Sequence, residues 1–267
     1  ISYCNNFLFI YKINKRMKQN LKYYLKNKLI PKELELVPSS FDVVGDILIF
    51  SDFPKELTKK EKVVGQTILE NYHHIKTLLK KTRKYSGRFR TPKLKVIAGE
   101  KKKETICKEN DVFVKLDVEK VYFSPRMSSE RKRIADLVKT NESVLVMFSG
   151  SGVYPLVIAK NTKCKEVYGI EINPIAHKYA LENVKKNKLE NKIRLFLGDV
   201  RKMMPKLNKR FNRILMPLPK GGENFLDLAL RYIKNKGIIH FYDFLYEDEF
   251  DLAVGKIKKA CDKLHKK

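Results

Sequence analysis

The chain of 267 residues carries 57 Lys and Arg against 30 Asp and Glu, a formal net charge of +27 and a pI near 9.8. Such an excess calls for a polyanionic partner, nucleic acid first. With 43% apolar residues, four scattered cysteines that form no CxxC pair, and no apolar run of spanning length, the composition argues against disorder, a structural zinc site and a membrane span.

In chain order, residues 1–30 form a basic N-terminal segment. Residues 1–16 precede the first methionine, Met17, and no small-residue cleavage site follows them, so they do not read as a signal peptide. MKQNLKYYLKNKL (Met17–Leu29) predicts a short basic helix, broken by Pro31 and Pro38. FDVVGDILIF (Phe41–Phe50) predicts a strand or strand pair. LTKKEKVVGQTILENYHHIKTLLKK predicts one helix: Thr58 and Glu61 have capping-box spacing, and Val64, Ile68, Ile75, Leu78 and Leu79 recur at helical intervals. His73 and His74 fall on a solvated face of that helix. KLKVIAGE, ETICKE and VFVKLDV predict strands joined by tight turns. Residues 31–118 thus read as a small α+β domain.

From residue 119 onward the rhythm alternates strand and helix. The run comprises SVLVMF, the turn SGSG, the helix VYPLVIAK, EVYGIEI, the helix NPIAHKYALENVKKN, IRLFLGD, a short helix, NRILMPLP, the helix ENFLDLALRYI and GIIHFYDF. Alternation of this kind predicts a parallel sheet covered on both faces. Gly150 and Gly152 sit where the first strand turns into a helix, allowing backbone to approach a ligand closely. Glu171 ends the second strand, where an acid accepts hydrogen bonds from ribose hydroxyls; Asp199 ends the third, near the place of an adenine amino group. Pro155 takes the third glycine place of GxGxxG, which disfavours a pyrophosphate at the helix start and favours S-adenosylmethionine over a nicotinamide dinucleotide.

FDVVGDILIF, RFRTPKLKVIAGE, FVKLDVEKVYFSPRMSSER, LVMFSGSG, VYGIEINP, LGDVRK and MPLPKGGENFL, in this order, resemble the archaeal and eukaryotic tRNA (guanine-37, N1)-methyltransferase family, with its archaeal wyosine-pathway members. The resemblance implies a class I S-adenosylmethionine-dependent, Rossmann-like methyltransferase domain over residues 119–267, preceded by an RNA-recognition domain. It implies a cytoplasmic, monomeric enzyme that acts on the tRNA anticodon stem-loop without a metal.

Residue by residue, Glu130 matches the family's proposed general base, and Arg90 an arginine that contacts the target base. Tyr122, Arg126, Arg131 and Lys132 match active-site and RNA-contacting positions or their basic neighbours. Phe148, Gly150, Gly152, Glu171 and Asp199 match the cofactor pocket. Pro217 and Pro219 match the loop that shapes the target-base pocket. Val146, Cys107 and Pro217 depart from the usual aspartate, histidine and asparagine. Pro217 resembles archaeal members that also methylate the wyosine precursor imidazo-guanine at C7. The separate N-terminal domain of many archaeal members and the family's closing strand pair are not evident in this sequence.

Glu130 also fits a plain helix-start acid, Arg126 to Arg133 a solvated face, and Tyr122 a core position. Two further functions stay open: 3-amino-3-carboxypropyl transfer in the wyosine pathway, and RNA binding without catalysis.

Overall fold

A computed structural model of the chain describes residues 21–264, which form two compact units, 21–109 with 113–130 and 110–112 with 131–264. The division falls inside one helix, later than the sequence boundary at 118/119.

In the first unit, residues 21–25 are helical; the start of the predicted basic helix lies outside the described residues. After α1 (Pro31–Glu35) come β1 (Phe41–Val44) and β2 (Ile47–Phe50), a hairpin with Val44 opposite Ile47. Gly45 turns it at φ +56°, and a Cβ there would meet Thr105 Oγ1 at 2.2 Å, so both conformation and space call for glycine. A 3₁₀ segment, Lys55–Lys60, leads into α2 (Glu61–Asn71). β3 (Thr77–Ser86) and β4 (Thr91–Gly99) complete a sheet ordered β1-β2-β3-β4, and β5 (Glu104–Glu109) pairs with β6 (Val112–Asp117) in a second sheet. Leu48, Phe50, Leu57, Val64, Ile68, Ile75 and Leu78 share the core.

The long helix expected from Thr58 is shorter than its periodicity suggested. It ends at Asn71, His73 and His74 occupy a turn, Ile75 is buried in the connection that follows, and Leu78 and Leu79 belong to β3. Thr77–Lys80 pairs in parallel with Ile47–Phe50, so both faces of this run are covered and adjacent Leu78 and Leu79 are both buried. The expected capping box is also absent: Lys60 is the N-cap and makes no side-chain cap. Glu61 instead takes Lys80 at 2.6 Å and Lys95 at 2.7 Å across the sheet.

The second unit begins within α3 (Ser128–Asp136). There follow β7 (Ser143–Met147), α4 (Val153–Asn161), β8 (Glu166–Glu171), α5 (Pro174–Lys186), β9 (Ile193–Leu197), α6 (Val200–Lys206), β10 (Phe211–Met216), α7 (Leu226–Tyr232), β11 (Ile233–Phe241) and α8 (Phe250–Asp262). The predicted helix ENFLDLALRYI is a 3₁₀ turn and α7, and its last residue, Ile233, already belongs to β11. The five strands run parallel in the order β11-β10-β7-β8-β9. Every residue of β7 is buried, as expected for a central strand covered on both sides. Chain order reverses between β7 and β10, which opens a crevice at their carboxyl ends.

One charge is locked beneath this sheet. Arg213 on β10 is 1% exposed, and its Nε and Nη2 donate to the two Glu142 oxygens at 2.7 and 3.1 Å. Nη2 also donates to the Leu137 carbonyl, and Nη1 lies 2.7 Å from His240 Nε2. Arg213→Met should cost about 2–3 kcal/mol in denaturant unfolding, since Glu142 loses its partner but keeps some solvent. Adding Glu142→Leu should return part of the loss; a double variant weaker than the single would show that the pair is not the source.

Candidate cofactor crevice and nucleic-acid surface

In the second unit the glycine turn leaves β7 through Phe148, held at φ +60°, then Gly150 at +57° and Gly152 at +81°. Gly152 begins α4, and a Cβ there would stand 3.2 Å from Ala180 Cβ on α5, so this glycine serves close helix packing as well as the turn. Glu171, 8% exposed, sits at the end of β8. Its Oε2 accepts the Gly150 N–H and its Oε1 the Asn173 N–H, both at 2.7 Å. Burial raises its pKa above the ordinary carboxylate value, and the backbone donors pull the other way.

A carboxylate has about four acceptor directions, so the backbone donors leave capacity for a ribose hydroxyl. The buried hydroxyls of Ser149 and Ser151 make no protein hydrogen bond. A buried acid, polar atoms lacking protein partners and a left-handed glycine turn at a topological switch point together fit S-adenosylmethionine. Asp199 is the N-cap of α6, accepting the Arg201 N–H at 2.9 Å, so it shapes that rim as well as presenting an acid. Pro217 and Pro219 follow β10, partly exposed, where Leu218 N–H bonds back to Met216 O at 2.7 Å.

Sequence reasoning missed two groups in this unit. Phe148 meets the edge of Phe225 with centroids 5.0 Å apart, and the Arg201 guanidinium lies 4.0 Å from the Phe225 centroid. Tyr154 and Tyr242 share a hydroxyl contact of 3.1 Å, with Arg131 5.9 Å from the Tyr154 ring centre. Tyr154 and Phe225 fell within predicted helices, and no local signal marks their partners. Arg131 is 3% exposed; burial sets it apart from an open phosphate contact. Lys132 is on the exposed side of α3 but pairs with Asp136 one turn along.

In the first unit, Arg90 closes the β3–β4 turn. It donates its N–H to Gly87 O at 3.1 Å and holds φ +49°, a conformation uncommon for arginine. Tyr122 is 48% exposed and meets Tyr85 edge-on at 5.1 Å. Arg126 Nε donates to Asp42 at 2.7 Å and Nη2 to Ser40 Oγ at 3.3 Å. Glu130 lies half-buried in the first turn of α3. A 3₁₀ turn precedes it, in which Met127 and Ser128 N–H groups bond to the Ser124 and Pro125 carbonyls. Among the described residues no group of His, Cys, Asp or Glu is arranged to hold a metal ion, and no helix is long and apolar enough to cross a membrane.

Residues 105–267 match the TRM5/TYW2 methyltransferase domain model, and residues 21–102 the TYW2 N-terminal domain model. The chain is 39% identical over 236 residues to tRNA (guanine(37)-N(1))-methyltransferase Trm5b of Pyrococcus abyssi, covering 88% of this chain and 69% of that protein. The crystal structure of that Trm5b superposes with a TM-score of 0.79, covering 89% of this chain and 70% of the other. It is 35% identical to tRNA (guanine(37)-N(1))/4-demethylwyosine(37)-methyltransferase Taw22 of Nanoarchaeum equitans, over 84% of this chain and 90% of that one. The structure of P. horikoshii TYW2 in complex with MeSAdo is 27% identical with a TM-score of 0.76, over 92% and 88% of the two chains.

Proposed function

Because the chain belongs to the TRM5/TYW2 methyltransferase family, we propose that it methylates N1 of guanosine 37 in tRNA, and C7 of the imidazo-guanine later formed there. The observation that carries this reading is the buried Glu171 carboxylate at the glycine turn of a matched methyltransferase domain. The 35% identity to a relative named for both substrates supports the second activity. A net charge of +27 suits a tRNA partner, and four scattered cysteines with no CxxC pair suit a reducing cytoplasm.

S-adenosylmethionine, when bound, supplies a methyl group made electrophilic by its sulfonium. The chain's own residues do the rest. Glu171 accepts the ribose hydroxyls, while Phe148 and Asp199 border the adenine. Guanine N1 is a poor nucleophile until its proton leaves. Glu130 takes that proton, and the negative charge that moves to O6 faces the Arg90 guanidinium. Pro217 and Pro219 give the target base an apolar wall without a side-chain amide, which disfavours reaction at exocyclic amines. Arg126 and Lys132 meet the RNA backbone; Arg131, being buried, braces Tyr154 instead.

Nucleosides from tRNA incubated with the enzyme and labelled cofactor, separated by mass, test the reading. The expected product is 1-methylguanosine, together with a C-methylated nucleoside from precursor-bearing tRNA. A second reading, 3-amino-3-carboxypropyl transfer, is favoured by the match of residues 21–102 to the TYW2 N-terminal domain. It predicts the heavier aminocarboxypropyl adduct and no 1-methylguanosine. No product at all would leave an RNA-binding module.

Glu171 gives a separate check. Glu171→Ala should weaken cofactor binding by about 1–3 kcal/mol in calorimetry. In the wild type, affinity should fall on acidification, because the protonated acid loses an acceptor. The raised pKa starts this loss above the pH of an ordinary carboxylate. Unchanged affinity in the variant, or a pH-independent wild type, would remove Glu171 from the binding site.

A further inference from the structure

The aromatic residue Tyr85 has no part in the reaction described above, yet it stands in a built cluster within the first unit. Its ring is 41% exposed and packs edge-on against Tyr122, itself 48% exposed. The Lys81 ammonium lies 4.6 Å from the Tyr85 ring centre and reaches Ser51 Oγ at 3.4 Å. Asp42, Lys81 and Tyr85 line one small cavity with Phe123 and Pro125. Burial, with Tyr122 and Asp42 alongside, pushes the Tyr85 hydroxyl up to about 12, so the phenol stays neutral. Arg126 is oriented at the same place by Asp42 and Ser40. Two cations therefore face one carboxylate, with two solvent-facing rings beside them.

A mere surface mini-core would cover its rings. Here both rings are open, and the exposed Arg126 guanidinium is oriented beside them by Asp42 and Ser40. Aromatic faces interleaved with fixed cations are what an unpaired nucleotide needs: π-surface for the base and charge for the phosphate. We propose that Tyr85 and Tyr122 form a stacking platform for a second unpaired base of the RNA, distinct from the methylated one, whose phosphate rests on Arg126. This rests on the tRNA reading of the preceding section and adds Tyr85, Lys81 and Asp42 to the RNA surface. Lys81 supports the Tyr85 ring from one side, and Asp42 sets the direction of the guanidinium.

The test uses the full chain and an anticodon stem-loop RNA, intact or with one abasic nucleotide at each loop position in turn. Wild-type affinity should drop about 5- to 100-fold when one loop position other than 37 is abasic, the range for stacking one base on a ring. Tyr85→Leu should show that loss with intact RNA and no further loss with the same abasic RNA. Tyr85→Phe should bind like wild type, because the ring and not the hydroxyl is used. Tyr122→Leu should point to the same position. Additive losses at every loop position, or Tyr85→Leu binding as tightly as wild type while melting normally, would overturn the platform. If Tyr85→Leu fails to fold, the Tyr122 series decides. Affinity is read without turnover, so a wild type that binds in this pattern but makes no methylated guanosine would refute the proposed reaction and not the platform.

Discussion

Replacing Glu130 by Gln should lower single-turnover methyl transfer to guanosine 37 by about 10²–10⁴-fold, with adenosylmethionine and tRNA binding nearly intact. Gln keeps the shape and hydrogen-bonding capacity of the side chain and removes only its ability to take a proton. Glu130 is half-buried at the first turn of α3. The kinetic defect should shrink as pH rises, since spontaneous ionisation of N1 replaces the missing base. Methylation of the tricyclic precursor at carbon removes no N1 proton and should suffer less. Equal, pH-independent losses in both reactions would make Glu130 an organiser of the fold, and the base would have to be sought elsewhere.

Arg90→Gly should separate stability from catalysis in the opposite sense. Arginine at φ +49° carries a steric cost of about 1–2 kcal/mol that glycine does not. The greater chain entropy of unfolded glycine offsets part of the gain, about 0.4–1 kcal/mol. The melting temperature should hold or rise. Methyl transfer should fall by about 10²–10³-fold, the usual effect of losing one donor to a developing oxyanion. Arg90→Ala should lose the same activity while keeping the strained turn, so it should melt no higher than wild type. Guanidinium ion added to Arg90→Gly should restore part of the rate. A variant that melts markedly lower, with activity falling only in proportion to its folded fraction, would show that Arg90 merely closes the turn.

Residues whose placement depends on one strand or one turn were legible in the sequence. FSGSG, Glu171 and Asp199 stand at strand ends, and the parallel order of the sheet brings those ends to one edge. FDVVGDILIF read as a strand or strand pair, and it forms the β1–β2 hairpin. What escaped reading depends on partners distant in the chain. Leu78 and Leu79 continue the helical spacing but are drawn into the sheet by Ile47–Phe50, some thirty residues earlier. Glu61 looked like half of a capping box because Lys80 and Lys95 cannot be seen from its neighbours. Arg131 looked like a surface cation in a basic run; α3 turns it inward to Tyr154 and leaves Lys132 outside. Tyr85 carried no motif, and only the meeting of β3 with the segment after β6 sets it beside Tyr122.

The two backbone amides held by Glu171 bear on the entropy of ligand capture. Gly150 N–H and Asn173 N–H are fixed to one carboxylate before any nucleoside arrives, so the turn after β7 and the start of α5 are ordered as the chain folds. On the proposed reading, the cofactor would meet a pre-formed rim and spend little of its binding free energy on arranging loops. Amide hydrogen exchange would register this directly: both protons should exchange slowly in the ligand-free protein and gain only modest further protection on binding. Glu171→Ala should free both at once, so a fall in affinity would combine lost ribose contacts with a newly mobile rim.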